Sequence, residues 1–351
     1  MKGAAERRYL VIAPQGLGDS LEATPIVRAL RTERPDARID VAVTRVEPKL
    51  LFESLPAVTN VHYLPYWDRG TTAFLKALAK RAERYDASFL SYPSAGLPYE
   101  FLSARFQASR RFAHRHRAHS LLDLPFLRAT LVPVRPAHNV ERNRDLLRAA
   151  GITPDDLPGY LIPPPWVAPD GERRESRIAV HVGSIAHSNL ALRRWPLEHF
   201  IALAKRLVRE YDDVKLVVGP AETEESAHVV REVPGITTFE GSLPQVARFL
   251  STCAAVIAND SGIAHLAAGV GAPTVTLFGP TPPEQTAPFS PLALVVRPSD
   301  CPPCFDMRRP VVRCIRNIDF RCLKHDLTVD VAEAAVRNAV NARAGLKSNA
   351  L

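Results

Sequence analysis

No apolar run in this chain approaches the ~20 residues that a membrane-spanning helix needs. The first residues, Met1 to Tyr9, are polar and charged, and the apolar stretch that follows, Leu10 to Pro14, has only a strand's length. That is too short for the core of a secretory signal. A cytoplasmic protein is therefore expected, and its five cysteines should not form structural disulfides. No stretch interleaves aromatic with basic residues, so the usual footprint of nucleic-acid binding is missing. Low-complexity tracts are absent too. So is the third glycine of a dinucleotide fingerprint: Gly16 and Gly18 are followed by Leu21 and Glu22. A Rossmann dehydrogenase is disfavoured on that ground.

What is present describes a globular protein. Hydrophobic residues make up 46% and charged residues 23%, and 351 residues suit two domains better than one. The formal net charge of +8 attracts anions. Much of it is local. Arg105, Arg110, Arg111, Arg115 and Arg117 lie with His114 and His116 in one run that no acid interrupts. The run reads either as an anion-facing patch or as a solvated loop.

Short apolar runs alternate with helical patterns. Strands are expected at Tyr9–Ala13, Arg38–Val43 and Ala87–Leu90, with a helix over Ser20–Arg34. Pro163, Pro164, Pro165 and Pro169 then mark a break. The pattern restarts with strands at Arg177–Val182, Val214–Val218, Ala254–Ala258 and Pro273–Phe278. Helices are expected over Pro196–Tyr211, Glu222–Glu232 and Ile263–Gly269. Such alternation indicates parallel sheets with helices on both faces. The expected organisation is an N-terminal Rossmann-like domain over 1–160, a Pro-rich linker over 161–176, a second such domain over 177–328, and a final helix and tail over 329–351. The two domains would face each other across a cleft.

The most informative stretch is Asn259-Asp260-Ser261-Gly262-Ile263-Ala264-His265. A strand runs into a polar turn and a helix begins at once. In such sheets ligands bind at the carboxyl ends of the strands, and a helix start there offers free N–H groups to a phosphate. Asp260 or Ser261 as a simple helix cap is the competing reading. A second strand end nearby, Leu277-Phe278-Gly279-Pro280-Thr281, is a rigid Gly/Pro loop, and the two together favour a pocket.

Asp260-Ser261-Gly262 with His265, followed by Leu277-Phe278-Gly279-Pro280-Thr281, resembles the signature of glycosyltransferase family 9, the ADP-heptose:lipopolysaccharide heptosyltransferase family. Gly16-Leu17-Gly18-Asp19-Ser20 with Thr24-Pro25 resembles the family's first loop. His181-Val182-Gly183-Ser184 and Arg193-Arg194-Trp195-Pro196 resemble the start of its second domain. Gly219-Pro220-Ala221-Glu222 is similar to its ribose-contacting segment. Where many members carry lysine, this chain has Arg193, a fork in place of a point charge.

The resemblance implies the GT-B fold and an inverting transfer from a nucleotide sugar, ADP-heptose, with no cofactor needed for catalysis. The implied acceptor is a lipopolysaccharide inner-core saccharide. It implies Asp19 as general base, although read locally Asp19 is a helix cap. Donor contacts fall to Ser184, Arg193, Arg194, Glu222, Asp260, Ser261, Gly262 and His265. Glu222 reads equally as an exposed acid at a helix start, and His181 and His265 as packed histidines. Gly18, Arg111, Arg115 and Arg117 lie on the acceptor side, and the basic run suggests peripheral contact with the inner membrane. A protein, O-antigen or secondary-metabolite acceptor is the alternative within the fold. A non-catalytic nucleotide-sugar-binding protein is the alternative of another class.

Cys301, Cys304, Cys314 and Cys322 remain. Four thiolates suit a tetrahedral zinc or iron site of structural type, yet the later pair lacks Cys-x2-Cys spacing. Four reduced thiols in a compact loop is the other reading. In some relatives of the resembled family such cysteines hold iron. Cys253, on an apolar run, is expected in the core.

Overall fold

A computed structural model describes residues 7–79, 83–157, 159–184, 193–220, 223–305, 314, 316 and 318–348. The chain divides into two compact units, Met1–Pro163 and Pro164–Leu351.

The first unit holds six strands: β1 (Arg8–Ile12), β2 (Arg38–Val43), β3 (Asn60–Tyr63), β4 (Arg84–Leu90), β5 (Gln107–Arg115) and β6 (Ala129–Pro133). All pair in parallel, in the order β3-β2-β1-β4-β5-β6. Its helices are α1 (Leu17–Glu33), α2 (Val46–Glu53), α3 (Tyr66–Ala79), α4 (Leu97–Arg105) and α5 (Asn139–Ala150). β1 is apolar at every position after its first two because both sheet faces are covered. Val11, Ala23, Ile26, Val27, Leu30, Val41, Leu146 and Leu147 form one core, and Leu10, Ile12, Leu102, Phe106 and Leu122 belong to another.

The second unit repeats the plan. Its strands are β7 (Arg177–His181), β8 (Asp213–Val217), β9 (Thr237–Phe239), β10 (Ala255–Asn259), β11 (Thr274–Leu277) and β12 (Ala293–Val296), in the order β12-β11-β10-β7-β8-β9. Its helices are α6 (Leu197–Glu210), α7 (Thr223–Glu232), α8 (Leu243–Ser251), α9 (Gly262–Gly269), the short α10 (Pro283–Thr286) and α11 (Val329–Ser348). Counted from its own first strand, each sheet runs 3-2-1-4-5-6, the dinucleotide-binding order. The winding reverses between strands one and four, and the crevice there is where ligands bind in such sheets.

Three expectations need revision. The helix after β1 begins at Leu17, not Ser20: Gly16 is its N-cap, Gly18 its second residue and Asp19 its third. The arginine-rich run is not a loop. Most of it is β5, paired with β4 and β6. The proline-rich stretch is not wholly free chain either. Pro164–Trp166 forms a single helical turn that packs on α8, Trp166 is buried, and the Ala168 N–H donates to the Ser251 hydroxyl at 2.9 Å. Among the described residues no helix is long and apolar enough to cross a membrane.

Candidate functional site

The second unit places its polar motifs at its own reversal point. β7 and β10 are neighbours, with Ala258 opposite His181. The loops leaving their carboxyl ends therefore flank one crevice, and both carry the expected residues. Asn259 ends β10 fully buried. Its carboxamide donates to the Val182 carbonyl at 2.8 Å and accepts from the Trp195 N–H at 2.8 Å. One side chain thus fixes the exit of β7 and the segment entering α6. Trp195 is held at its other end by donation from its indole Nε1 to the Leu327 carbonyl.

Asp260 follows, 5% exposed. A carboxylate at such depth needs a partner. The Arg193 guanidinium supplies it, donating to Oδ2 at 2.9 Å. The Asp260 carbonyl accepts from the Ser184 hydroxyl at 3.1 Å. Arg194 donates to the Ser184 carbonyl at 2.6 Å and to Glu225 at 3.0 Å. So Ser184, Arg193, Arg194 and Asp260 meet in one hydrogen-bonded group, although up to 76 residues separate them. Ser261 is the N-cap of α9, its hydroxyl accepting from the Ala264 N–H. Gly262 is the first residue of that helix and His265 lies buried one turn in. The capping reading of Ser261 therefore holds geometrically, at the same helix start where a phosphate is expected.

Burial pushes His181 down to about 4, a shift to which the charge of Arg194 adds. Its Nδ1 lies 3.2 Å from the Val217 carbonyl. It is a neutral packing residue at the base of the group and contributes no cation. Glu222 lies outside the described residues.

The wall beside this group was not foreseen. The Arg193 guanidinium stands over the Phe305 ring, 5.6 Å from its centre. The backbone N–H groups of Cys304 and Phe305 both donate to the Pro280 carbonyl at 2.8 Å. The cysteine segment is thereby tied to the Gly/Pro loop. Gly279 is required there by close approach: a Cβ would lie 2.5 Å from Leu323 Cγ. Thr281, 2% exposed, has a hydroxyl with no hydrogen-bond partner among the described residues. Phe305 is separated from the Leu277–Thr281 motif by an unpatterned stretch, and no local sequence signal connects it to Arg193.

None of the four cysteines of the cluster, all among the described residues, is in a disulfide. The Cys322 thiol is pushed up to about 11, chiefly by burial and then by Cys301, which also hydrogen-bonds to it; Cys304 adds a smaller effect. Among the described residues no group of three His, Cys, Asp or Glu is arranged to hold a metal. Most residues between Phe305 and Ile318 lie outside the described part.

In the first unit, β1 and β4 are the neighbours at the reversal point, and Asp19 sits half-exposed in the first turn of α1 beyond β1. Its loop is held by three contacts. The Thr44 hydroxyl donates to the Pro14 carbonyl, Gln15 Nε2 donates to the Pro93 carbonyl at 2.7 Å, and the Tyr99 hydroxyl donates to Gln15 Oε1 at 3.4 Å. Burial raises the Tyr99 phenol above its ordinary value, and Asp19 lies close enough to add to that shift. Tyr99 is a neighbour of the expected base that motif reading missed.

The basic run serves the fold more than the surface. Arg111 is 5% exposed. Its guanidinium donates to the carbonyls of Phe106, Leu127, Ala108 and Ser103 at 2.6, 2.6, 3.0 and 3.4 Å. Burial holds it below the ordinary arginine value. It is no acceptor-facing residue. Arg115 pairs with Asp123 and Arg117 with Glu100. His114 is buried against the Arg142 carbonyl.

Residues 82–313 match the model of glycosyltransferase family 9 (heptosyltransferase). The chain belongs to that family. A curated relative, lipopolysaccharide heptosyltransferase 2 of Escherichia coli K12, is 28% identical over 321 residues, covering 83% of this chain and 88% of the relative. Among solved structures, E. coli heptosyltransferase WaaC with ADP superposes with a TM-score of 0.71 at 19% identity, covering 95% of this chain and 99% of the other. The iron-containing dodecameric heptosyltransferase TibC in complex with ADP-D-β-D-heptose gives 0.57 at 16%, covering 97% and 78%. Two Rossmann-like units in one family 9 chain constitute the GT-B architecture, and glycosyl transfer is its activity.

Proposed function

We propose that this glycosyltransferase moves a heptose from ADP-heptose to a saccharide of the lipopolysaccharide inner core, inverting the anomeric centre, at the inner face of the cytoplasmic membrane. The observation that carries the donor half is the Arg193–Asp260 pair at the start of α9, with Ser184 hydrogen-bonded to the same aspartate. A cationic fork and a helix N-terminus meet there at the sheet's reversal point, which is what a diphosphate requires. Asp260 holds the guanidinium in place; Gly262 and its neighbours supply N–H groups. Ser184, Arg194, Ser261 and His265 complete the donor contacts, with Glu222 as the ribose partner. As the sugar bond breaks, negative charge grows on the departing phosphate, and these fixed donors stabilise it. Asp19 takes the proton from the attacking acceptor hydroxyl. Support for the heptose and the acceptor comes from the curated relative, whose name specifies lipopolysaccharide heptosyl transfer.

A panel of nucleotide sugars tested for thermal stabilisation checks this reading. ADP-heptose at about a hundred times its dissociation constant should stabilise the donor-binding state by about 2.7 kcal/mol. Stabilisation by UDP- or GDP-sugars alone would reassign the donor. Arg193→Ala should weaken ADP binding by about tenfold or more, since a charge-assisted fork is lost. Equal affinity by calorimetry would remove Arg193 from the donor site.

The same reading assigns a structural zinc or iron to Cys301, Cys304, Cys314 and Cys322. Its support is the Cys301-x2-Cys304 spacing and the hydrogen bond between Cys301 and Cys322. A metal there would displace the thiol protons and pin the segment that carries Phe305. Purified protein should hold about one equivalent of metal on this chemistry; elemental analysis reading neither zinc nor iron would reject it.

A further inference from the structure

Arg193 is held on two sides by chain that leaves two neighbouring strands. β10 and β11 pair with Asn259 opposite Leu277, and the Asp260 N–H donates to the Leu277 carbonyl at 3.2 Å. Their carboxyl ends therefore open side by side. Beyond β10 stands Asp260, whose Oδ2 accepts from Arg193 Nη1 at 2.9 Å. Beyond β11 stands Pro280, whose carbonyl accepts from the N–H groups of Cys304 and Phe305, both at 2.8 Å. The backbone of Phe305 is thereby fixed to the same sheet end. Its half-buried ring lies under the Arg193 guanidinium, with Cζ 5.6 Å from the ring centre. Pro280 makes a rigid post, since its own ring fixes φ. Gly279 before it is pressed against the buried Leu323.

These contacts divide the guanidinium. Asp260 engages Nη1, Nε is buried, and the ring stands below. The nitrogen left to a ligand is Nη2. The Arg193 side chain is only 15% exposed, so its charge is poorly screened by water. A cation is drawn to the negative face of an aromatic ring, and more strongly where water is scarce. One hydrogen bond to Asp260 would let the guanidinium swing about that contact. The ring removes this freedom. Arginine presents such a ring with a wide planar cation, where lysine presents a point charge. We infer that Phe305 is a positioning residue for the donor's diphosphate: it fixes the orientation of the Arg193 guanidinium and so aims Nη2 at a phosphate oxygen at the start of α9. Phe305 touches no reacting atom in this role. It has the role only if Arg193 holds the donor phosphates, as proposed above. The cysteine segment thereby takes a part in donor binding, since Cys304 and Phe305 share one anchor on Pro280.

Calorimetric titration of the full chain with ADP tests this through a double-mutant cycle. Phe305→Leu keeps an apolar side chain and removes the ring face. It should weaken ADP binding by about fivefold. In an Arg193→Ala background the same change should cost nothing further, because the cation that the ring orients is gone. Phe305→Tyr keeps a ring face and should bind ADP within about twofold of the wild type. Pentafluorophenylalanine in place of Phe305 guards against a leucine variant that does not fold. It keeps the ring's outline and inverts its quadrupole, so it should weaken ADP binding as leucine does. Unchanged ADP affinity in both the leucine and the fluorinated variants overturns the inference. So does an equal loss from Phe305→Leu in the presence and absence of Arg193, since the ring would then only support the fold of the second unit. The two readings fail separately. If Arg193→Ala weakens ADP binding and the changes at Phe305 do not, the role of Phe305 falls alone. If Arg193→Ala leaves ADP affinity unchanged, the donor assignment falls and takes the role of Phe305 with it.

Discussion

Asp19→Asn should lower turnover by about two to four orders of magnitude and leave ADP affinity where it was. The substitution keeps the shape of the side chain and removes only its capacity to accept a proton. An acceptor hydroxyl is a weak nucleophile, and without a base its proton must leave to water as the new bond forms. Asp19 sits in the first turn of α1, half-exposed, at the reversal point of the first sheet. The proposed donor contacts belong to the other unit, so binding of ADP alone should be insensitive to the change. A variant with near-native turnover would demote Asp19 to a helix-terminal acid. Tyr99 provides a control. Tyr99→Phe removes a hydrogen bond to Gln15 and should change turnover far less than Asp19→Asn.

The second large effect is on stability. Arg111→Met is expected to destabilise the first unit by about 3–5 kcal/mol, because four carbonyls lose their donors in a buried site that water does not reach. Methionine fills a comparable volume, so the loss reports hydrogen bonding and not a cavity. Protection of the β5 amides against hydrogen exchange should fall, while ADP affinity of the protein that remains folded stays at the wild-type value. If the variant is as stable as the wild type but loses turnover of an anionic acceptor, Arg111 reaches the acceptor after all.

Arg111 also illustrates where sequence reading stops. A run of arginine and histidine with no acid has the composition of a solvated surface. What makes β5 a strand is pairing with β4 and β6, together with carbonyl acceptors supplied by the turns at Phe106 and Leu127. None of these is local. The apolar strands were legible because burial on both faces writes itself into consecutive residues: Ala255 to Asn259 and Thr274 to Leu277 are buried throughout. The start of α1 was misread for the opposite reason. Gly16 and Gly18 suggest a turn, and nothing in their immediate surroundings announces that the second already lies in a helix.

The candidate site was legible as separate motifs and not as an assembly. Asp260 and Ser261 at a helix start follow from a strand, a polar turn and a small-residue helix. That Arg193 contacts Asp260, or that Phe305 stands under Arg193, requires the chain to return twice to the same sheet end. Only motif order over the whole family 9 match carried that information in one dimension.

The last helix has a consequence for how the chain is made. Ala332, Val336 and Ala339 of α11, the last described helix of the second unit, are buried in the same core as Ile178 and Val180 of β7, its first strand. That unit's interior cannot be completed while α11 is still in the ribosomal tunnel. The first unit has no such debt, since all its strands and helices precede Pro163. Synthesis from the amino end therefore finishes the unit with Asp19 early, and the second unit waits, its apolar strands uncovered, until α11 has emerged. Chaperone demand during synthesis should concentrate in that interval.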